Sequence, residues 1–382
     1  MSEKSLQIIE FIKSLYPGEE PVPLHAPRFT GNEKKYLAEC IDSTFVSYVG
    51  EFVNGLEKHI QEYTGVKHAV AMVNGTSALQ IALMVAGVKP GEEVITQALT
   101  FVATANAIKH AGAEPVFVDV DRDTLGMSHE KLDYFLKNNT TMKKDGCYNK
   151  TTGSKIGACV PMHTFGHMVK IDKIIEICNV YNIRVVEDSA EALGSFYRGQ
   201  HAGTFGVAGI LSFNGNKPVT TGGGGMLITN DAELAEKAKH LSTTAKQKHA
   251  WAFIHDEVGF NLRMPNINAA VGCAQMEKID FIIDNKRQLA DIYKDYFDDM
   301  DIQFVNEPVN SHSNYWLNTI VLDTVKKRNE FLKYANDNGV QARPVWTLMN
   351  KLLMYSNCNT GDLSNSEWLE ERIVNIPSSV RI

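Results

Sequence analysis

AVAMVNGTSALQIALMVAG, residues 69–87, is the stretch that decides the fold. Its first residues, AVAMV (69–73), form an uninterrupted apolar run of strand length, as in a strand buried on both faces. Thr76 and Ser77 are helix-capping residue types, and they predict a helix over SALQIALMVAG that stops at Gly87, with Pro90 beyond. The same rhythm continues outward, from about Gly65 to about Leu241. VIT (94–96) reads as a strand, FVATANAIKHA (101–111) as a helix and VFVDV (116–120) as a strand. IGACVP (156–161) precedes a helix, IDKIIEICNVY (171–181), and the strand IRVVE (183–187) follows. AGILSF (208–213) and GMLIT (225–229) are two further strands. Such alternation implies an α/β fold, a mainly parallel sheet covered by helices on both faces.

Beyond this block the signals weaken. Residues 137–155, KNNTTMKKDGCYNKTTGSK, are polar and read as an exposed insertion loop. A single long helix is expected over 266–299, followed by weaker elements. The expected division is a large domain over 27–258 and a smaller α+β domain over 259–382, joined by an N-terminal arm, 1–26. In that arm Ile8, Ile9, Ile12 and Leu15 have the spacing of a docked amphipathic helix. A length of 382 residues suits two domains. The 38 basic and 45 acidic side chains give a net charge of −7, which argues against a nucleic-acid coat or a polybasic membrane anchor. No apolar run reaches membrane-spanning length. The six cysteines are scattered with no CxxC pair, against both a disulfide framework and a zinc knuckle. The N-terminal segment lacks a long apolar core and a small-residue cleavage site. These features place the protein in the cytoplasm.

In an open α/β sheet, ligands gather at the carboxyl ends of the strands. Asn74-Gly75-Thr76-Ser77 lies at one such end and opens a helix, so it is either an anion site or a plain helix cap. Glu187 and Asp188 close another strand, as catalytic carboxylates or as caps. Lys217 follows a third strand end in SFNGNK (212–217), and it is either a functional amine or a solvated charge. Gly222–Gly225 precedes a strand instead of opening a helix, so it fails as a dinucleotide fingerprint and fits a close backbone passage. Together, a phosphate cradle, an acid and a lysine are the parts of a pyridoxal phosphate (PLP) site: the lysine forms a Schiff base and the acid keeps the pyridine nitrogen protonated.

At these residues the sequence resembles the DegT/DnrJ/EryC1/StrS family of nucleotide-sugar aminotransferases, which have the type I PLP-dependent aminotransferase fold. The resemblance runs from about Pro27 to Pro377. NGTSALQIAL (74–83), TFVATANAI (100–108), EDSAEALGS (187–195), SFNGNKPVTTGGGGM (212–226) and GFNLRMPNINAAVG (259–272) carry it. VSYVGEFVNGLE (46–57) and PMHTFGHMVKID (161–172) are similar to the branch acting in legionaminic acid and bacillosamine-type pathways. The resemblance implies that Lys217 is the Schiff-base lysine and proton shuttle, that Asp188 pairs with the pyridinium nitrogen, and that Phe101 stacks on the ring. It implies phosphate binding by the turn at Gly75, Thr76 and Ser77 and by Ser212, and places Glu191 near the cofactor's phenolic oxygen or the sugar. Asn261 would reach the phosphate of a neighbouring subunit, so a homodimer with shared sites is expected. The implied reaction moves an amino group from glutamate to a nucleotide-linked 4-keto-6-deoxy sugar, expected to be a UDP-linked 2-acetamido sugar or a GDP-linked one. Relatives with Gly-Glu-Gly-Gly after the lysine differ from this chain, which has only glycines at 222–225.

Other candidates are weaker. His163 and His167 are four apart but sit in a loop with no third ligand, so no metal site is expected. His163 reads as structural or sugar-contacting. Arg343 in ARPVW (342–346), with Trp346, reads as a substrate-facing strand end that could grip diphosphate or as an exposed structural arginine. The basic run 237–249 reads as a solvated helix and loop. A sugar dehydratase on the same fold would replace the lysine by histidine, and Lys217 speaks against it. A non-catalytic regulator would not need Asp188, Ser212 and Lys217 together.

Overall fold

The computed structural model describes residues 3–382. Its centre is a seven-stranded sheet in the order His68–Met72, Gly225–Thr229, Ala208–Ser212, Arg184–Asp188, Ile156–Val160, Glu93–Gln97, Glu114–Val118. Gly225–Thr229 runs antiparallel to both its neighbours, and the other pairings are parallel. The expected α/β sheet, mainly parallel, is the one observed. Its strands are buried on both faces, which is why they read as continuous apolar runs.

Register places the candidate residues. Gly225 pairs with Met72 on one side and with Ser212 on the other, so the turn after Met72 and the end of the strand at Ser212 lie together. Asp188 pairs with Ile210, two residues before Ser212. Three strand ends thus open on one edge of the sheet.

A four-stranded antiparallel sheet, Gln303–Phe304, Asn318–Val321, Ile373–Ile376 and Arg343–Pro344, lies beyond it. The N-terminal helix Glu3–Leu15 buries Ile8, Ile9 and Ile12 in a cluster with Tyr293, Phe297 and Ile320. Each such isoleucine contributes roughly 1.5–3 kcal/mol of burial. Among the described residues no helix is long and apolar enough to cross a membrane. All six cysteines are free thiols.

Three local expectations are corrected. Asn74, not Thr76 or Ser77, caps the helix Gly75–Val85: its side-chain oxygen accepts from Ser77 N at 2.8 Å. Residues 137–155 are not a loop throughout. They contain a hairpin, Thr140–Lys143 with Gly146–Asn149, whose buried Asn149 donates to Glu93 Oε2 at 2.8 Å. The long helix is two, Asn266–Met276 and Ile279–Asp299. The first packs against Leu211 and Met226 of the large sheet, while the second carries Leu289, Tyr293 and Phe297 into the cluster with the N-terminal helix. The second also lends Ile279, Ile282 and Ile283 to the core of the first.

Candidate active site

The three strand ends enclose a cavity of about 310 Å³, lined among others by Gly75, Thr76, Phe101, Asp188, Glu191 and Lys217. On its floor is the first turn of the helix Gly75–Val85. The leading backbone N–H groups of a helix have no partner within it, and although Ser77 N is taken by the Asn74 cap, those of Gly75 and Thr76 could receive an anion, making this turn a candidate cradle. A Cβ on Gly75 would come within 3.1 Å of Ser212 Cβ, so Ser212 closes the cradle directly. The glycine run makes this approach possible: a Cβ on Gly225 would lie 2.3 Å from the Asn74 carbonyl carbon.

Asp188 is buried at the next strand end. Its Oδ2 accepts from Thr104 Oγ1 at 2.7 Å and its Oδ1 from Ala190 N at 3.2 Å. No ion pair reaches it among the described residues. Burial pushes its carboxyl up, opposed by the Thr104 and Ala190 hydrogen bonds.

Lys217 sits on a loop pinned at its root. Phe213, fully buried, donates its N–H to Gly224 O at 2.9 Å and accepts from Thr221 N at 2.9 Å. Between these fixed ends the chain turns, with Lys217 N donating to Asn214 O at 3.0 Å, and sends the side chain back into the cavity. Its Nζ lies 3.1 Å from Glu191 Oε1 and 3.6 Å from the ring centre of Trp316. Glu191 Oε2 accepts from Phe165 N at 2.9 Å. Burial raises the Glu191 carboxyl to about 7, opposed by the Lys217 charge. Phe101, 46% exposed, stands at the mouth opposite Trp346, with ring centres 5.9 Å apart.

The site therefore holds two buried carboxylates and one ammonium, and Asp188 has no cation of its own. Pyridoxal phosphate fits this set. Its phosphate would suit the cradle, its protonated ring nitrogen would supply the cation Asp188 lacks, and its aldehyde would meet the amine of Lys217.

The DegT/DnrJ/EryC1/StrS aminotransferase family model matches residues 27–382. The GDP-perosamine synthase of Escherichia coli O157:H7 is 38% identical over 88% of this chain and 87% of its own. The GDP-perosamine synthase of Caulobacter vibrioides is 35% identical over 94% and 93%. A DegT DnrJ EryC1 StrS aminotransferase from Brucella abortus has a crystal structure matching with a TM-score of 0.83 at 27% identity, covering 91% of this chain and 90% of that one. The chain belongs to the DegT/DnrJ/EryC1/StrS aminotransferase family. It is a PLP-dependent sugar aminotransferase with the type I fold. The narrower likeness to the legionaminic acid and bacillosamine-type branch is not what these relatives carry, since both curated ones are named for GDP-perosamine.

Within this family member, the cavity gathers Gly75, Thr76, Phe101, Asp188, Glu191, Ser212 and Lys217 from the residues singled out in the sequence. Ser77 belongs to the same turn through its bond to Asn74. Asn261 does not reach the cavity of its own chain: it is exposed and pairs with Thr243.

One substrate-contact expectation is corrected. His163 is fully buried, with Nε2 3.0 Å from Glu187 Oε2 and Nδ1 accepting from Val169 N at 3.3 Å, so neither ring nitrogen faces the cavity. Glu187 is likewise structural, its carboxylate also accepting from the N–H groups of Gly203, Phe205 and Gly206. Arg343 is exposed, bonded to Asn336 and Ala342 O, and does not line this cavity, whereas Trp346 from the same stretch does.

Sequence reasoning missed Thr104 and Trp316. Thr104 was legible, being one helical turn beyond Phe101 and so on the same face. Trp316 lies far along the chain in SNYWLN (313–318), and nothing in that stretch marks it.

Proposed function

We propose that the enzyme transfers the amino group of glutamate to the carbonyl of a nucleotide-linked 4-keto-6-deoxy sugar, and that the nucleotide is GDP. The observation that carries the reaction type is the buried trio Asp188, Glu191 and Lys217 above a helix N-terminus. The choice of GDP rests on the two relatives named GDP-perosamine synthase, at 38% and 35% identity. It replaces the UDP-linked 2-acetamido sugar expected from the resemblance.

In this reading Lys217 carries the cofactor and, once free, moves a proton between the substrate carbon and the cofactor. Asp188 holds the proton on the ring nitrogen. Bound there, the cofactor supplies a ring that accepts the electrons of the broken C–H bond. Gly75, Thr76, Ser77 and Ser212 hold its phosphate, Phe101 covers a ring face, and Glu191 keeps a charge partner beside the Lys217 amine.

The reading includes a homodimer, with Asn261 of one subunit completing the phosphate site of its partner. Exposed Trp251, Phe253 and Val258 on the segment before Asn261 support it, being 83%, 80% and 87% exposed in the single chain. A division into a large part, 27–258, and a smaller part, 259–382 with 1–26, belongs to the same reading, although the helix Asn266–Met276 still packs on the large sheet. Six free thiols support a cytoplasmic setting.

The test is oxo-acid release from glutamate with a panel of GDP- and UDP-linked keto sugars. Turnover with a GDP-linked 4-keto-6-deoxy sugar at least ~10-fold above every UDP-linked one is expected. Preference for a UDP-linked sugar would reverse the nucleotide assignment. A cofactor band that does not respond to glutamate would overturn the choice of donor.

A further inference from the structure

Lys217 has a long flexible side chain, and in the proposed reaction its amine must leave the cofactor and return to it in every cycle. An unheld lysine samples many rotamers, and misplacement by about 1 Å costs such a reaction on the order of 100-fold. The structure contains a holder.

Trp316 touches this lysine segment twice. The indole face lies 3.6 Å from Lys217 Nζ, and Nε1 donates to the carbonyl of Asn216, the preceding residue, at 2.6 Å. One side chain thus fixes both the root and the tip of the lysine. Opposite it, Glu191 receives the same amine at 3.1 Å.

The spacing between these two walls is itself set. Asn314, fully buried, donates Nδ2 to the backbone carbonyls of Glu191 and Leu193 at 2.8 and 2.9 Å, while its Oδ1 accepts from Trp316 N at 2.8 Å. One amide therefore ties the backbone of one wall to that of the other. A Cβ on Gly166, whose φ is +94°, would fall 1.9 Å from Asn314 Oδ1, so this amide is packed to the limit. The other end of Trp316 is held by Lys286, whose fully buried Nζ donates to Trp316 O at 3.1 Å and to Ser378 O at 2.6 Å. No carboxylate pairs with Lys286 among the described residues. Burial disfavours its charge, and its bonds go to the Trp316 loop and the C-terminal segment.

We propose that Trp316 is the positioning residue for the Lys217 amine, a resting place that holds the released amine within reach of the cofactor between its two bond-forming events. This rests on the assignment of Lys217 as the cofactor-carrying lysine. The ring serves by geometry more than by charge. A cation–π contact by itself favours the ammonium, which is not the nucleophile, so loss of the ring would free the amine electrostatically while letting it wander. The two effects have opposite signs on the rate of bond formation, and a factor near 100 from misplacement exceeds the ~2- to 30-fold available from the cation–π term.

The experiment uses full-length protein freed of cofactor, mixed with pyridoxal phosphate. The Lys217 amine, after losing its ammonium proton, forms a C=N bond with the aldehyde carbon and water leaves. Absorbance gives the rate, and borohydride quenching with mass spectrometry identifies the lysine. Pyridoxamine phosphate, which has no aldehyde and forms no such bond, reports the rest of the pocket. Trp316→Leu should slow bond formation by about 10-fold or more, while its affinity for pyridoxamine phosphate stays within ~3-fold of wild type. Trp316→Phe, which keeps a ring face, should recover most of the rate. Should Trp316→Leu fail to fold, Trp316→Met, closer in volume, carries the same expectation. An unchanged or faster rate would overturn the proposal, and so would a parallel loss of pyridoxamine phosphate affinity, which would make Trp316 a plain wall. Lys217→Ala separates this from the reading beneath it: normal borohydride labelling in that variant would mean that another lysine carries the cofactor.

Discussion

Lys217 Nζ and Glu191 Oε1 are 3.1 Å apart inside a cavity where Asp188, the second carboxylate, has no ion-pair partner among the described residues. One ammonium thus serves a pocket with two buried acids. Burial pushes both carboxyls up, to about 7 for Glu191. The pocket is poised to receive a cation beside Asp188, and a protonated pyridine is such a cation. Linkage then requires that binding the cofactor and ionising Asp188 strengthen each other.

Asp188→Asn should therefore damage turnover far more than folding. The single amide oxygen can accept from Thr104 but not also from Ala190 N, and it carries no charge to hold the ring proton. A fall in kcat of about 100-fold or more is expected, with the cofactor-free protein melting close to wild type, since removal of a costly buried charge offsets the loss of the Ala190 bond. Steady-state kinetics beside thermal melts check both halves. Near-normal turnover would reduce Asp188 to a structural group that holds the turn at Ala190.

Glu191 gives a pH signature in the cofactor-free protein. Its folded value, about 7, is above its ordinary 4.5, so between these the folded state holds a proton that the unfolded state releases. Its favourable contribution is complete below about pH 4.5 and is lost as pH rises through about 7. Glu191→Gln cannot titrate. Relative to that variant, wild type should lose stability from pH 5 to 7, by an amount of order 1–3 kcal/mol. Parallel denaturation midpoints for the two proteins across this range would refute it.

Lys286 should act at higher pH and with the opposite slope. Burial lowers its amine from 10.5 to about 7, so between these values the unfolded chain binds the extra proton. Its contribution is present above about 10.5 and is lost as pH falls toward 7. Lys286→Met fills the same space without titrating. Wild type should gain stability over that variant as pH is raised from 7 to 10, read from denaturant midpoints at fixed temperature. Two proteins that track each other through this range would place the ammonium in a better-solvated setting.

Asn261→Ala tests assembly. A side chain that bonds the partner's cofactor phosphate contributes about 1.5–3 kcal/mol, or roughly 10- to 150-fold in affinity. The variant should bind PLP more weakly and dimerise more weakly together, because a ligand held by both subunits favours the dimer. Sedimentation equilibrium with and without PLP measures this. A fully active monomer, or a dimer equally tight in both conditions with normal PLP binding by the variant, would contradict the shared site.

The sequence by itself determined the sheet and the floor of the site. Strands buried on both faces announce themselves as apolar runs, and the residues at their carboxyl ends, Gly75 to Ser77, Asp188 and Ser212, are placed by chain direction alone. Lys217 followed because it lies only five residues past a strand end. What needed the tertiary structure were groups brought in from elsewhere in the chain. Trp316 and Asn314 come from a stretch with no periodic signal, and they meet the Lys217 loop and Glu191 through contacts about a hundred residues or more apart in sequence. Sequence also could not separate His163 and Arg343 from true cavity residues. A histidine or arginine has the same chemistry whether it faces a ligand or a buried glutamate, and only packing decides that His163 turns to Glu187 and Arg343 to Asn336. Strand patterning is local because it records burial residue by residue, whereas a side chain's partner is set by which distant segment packs against it.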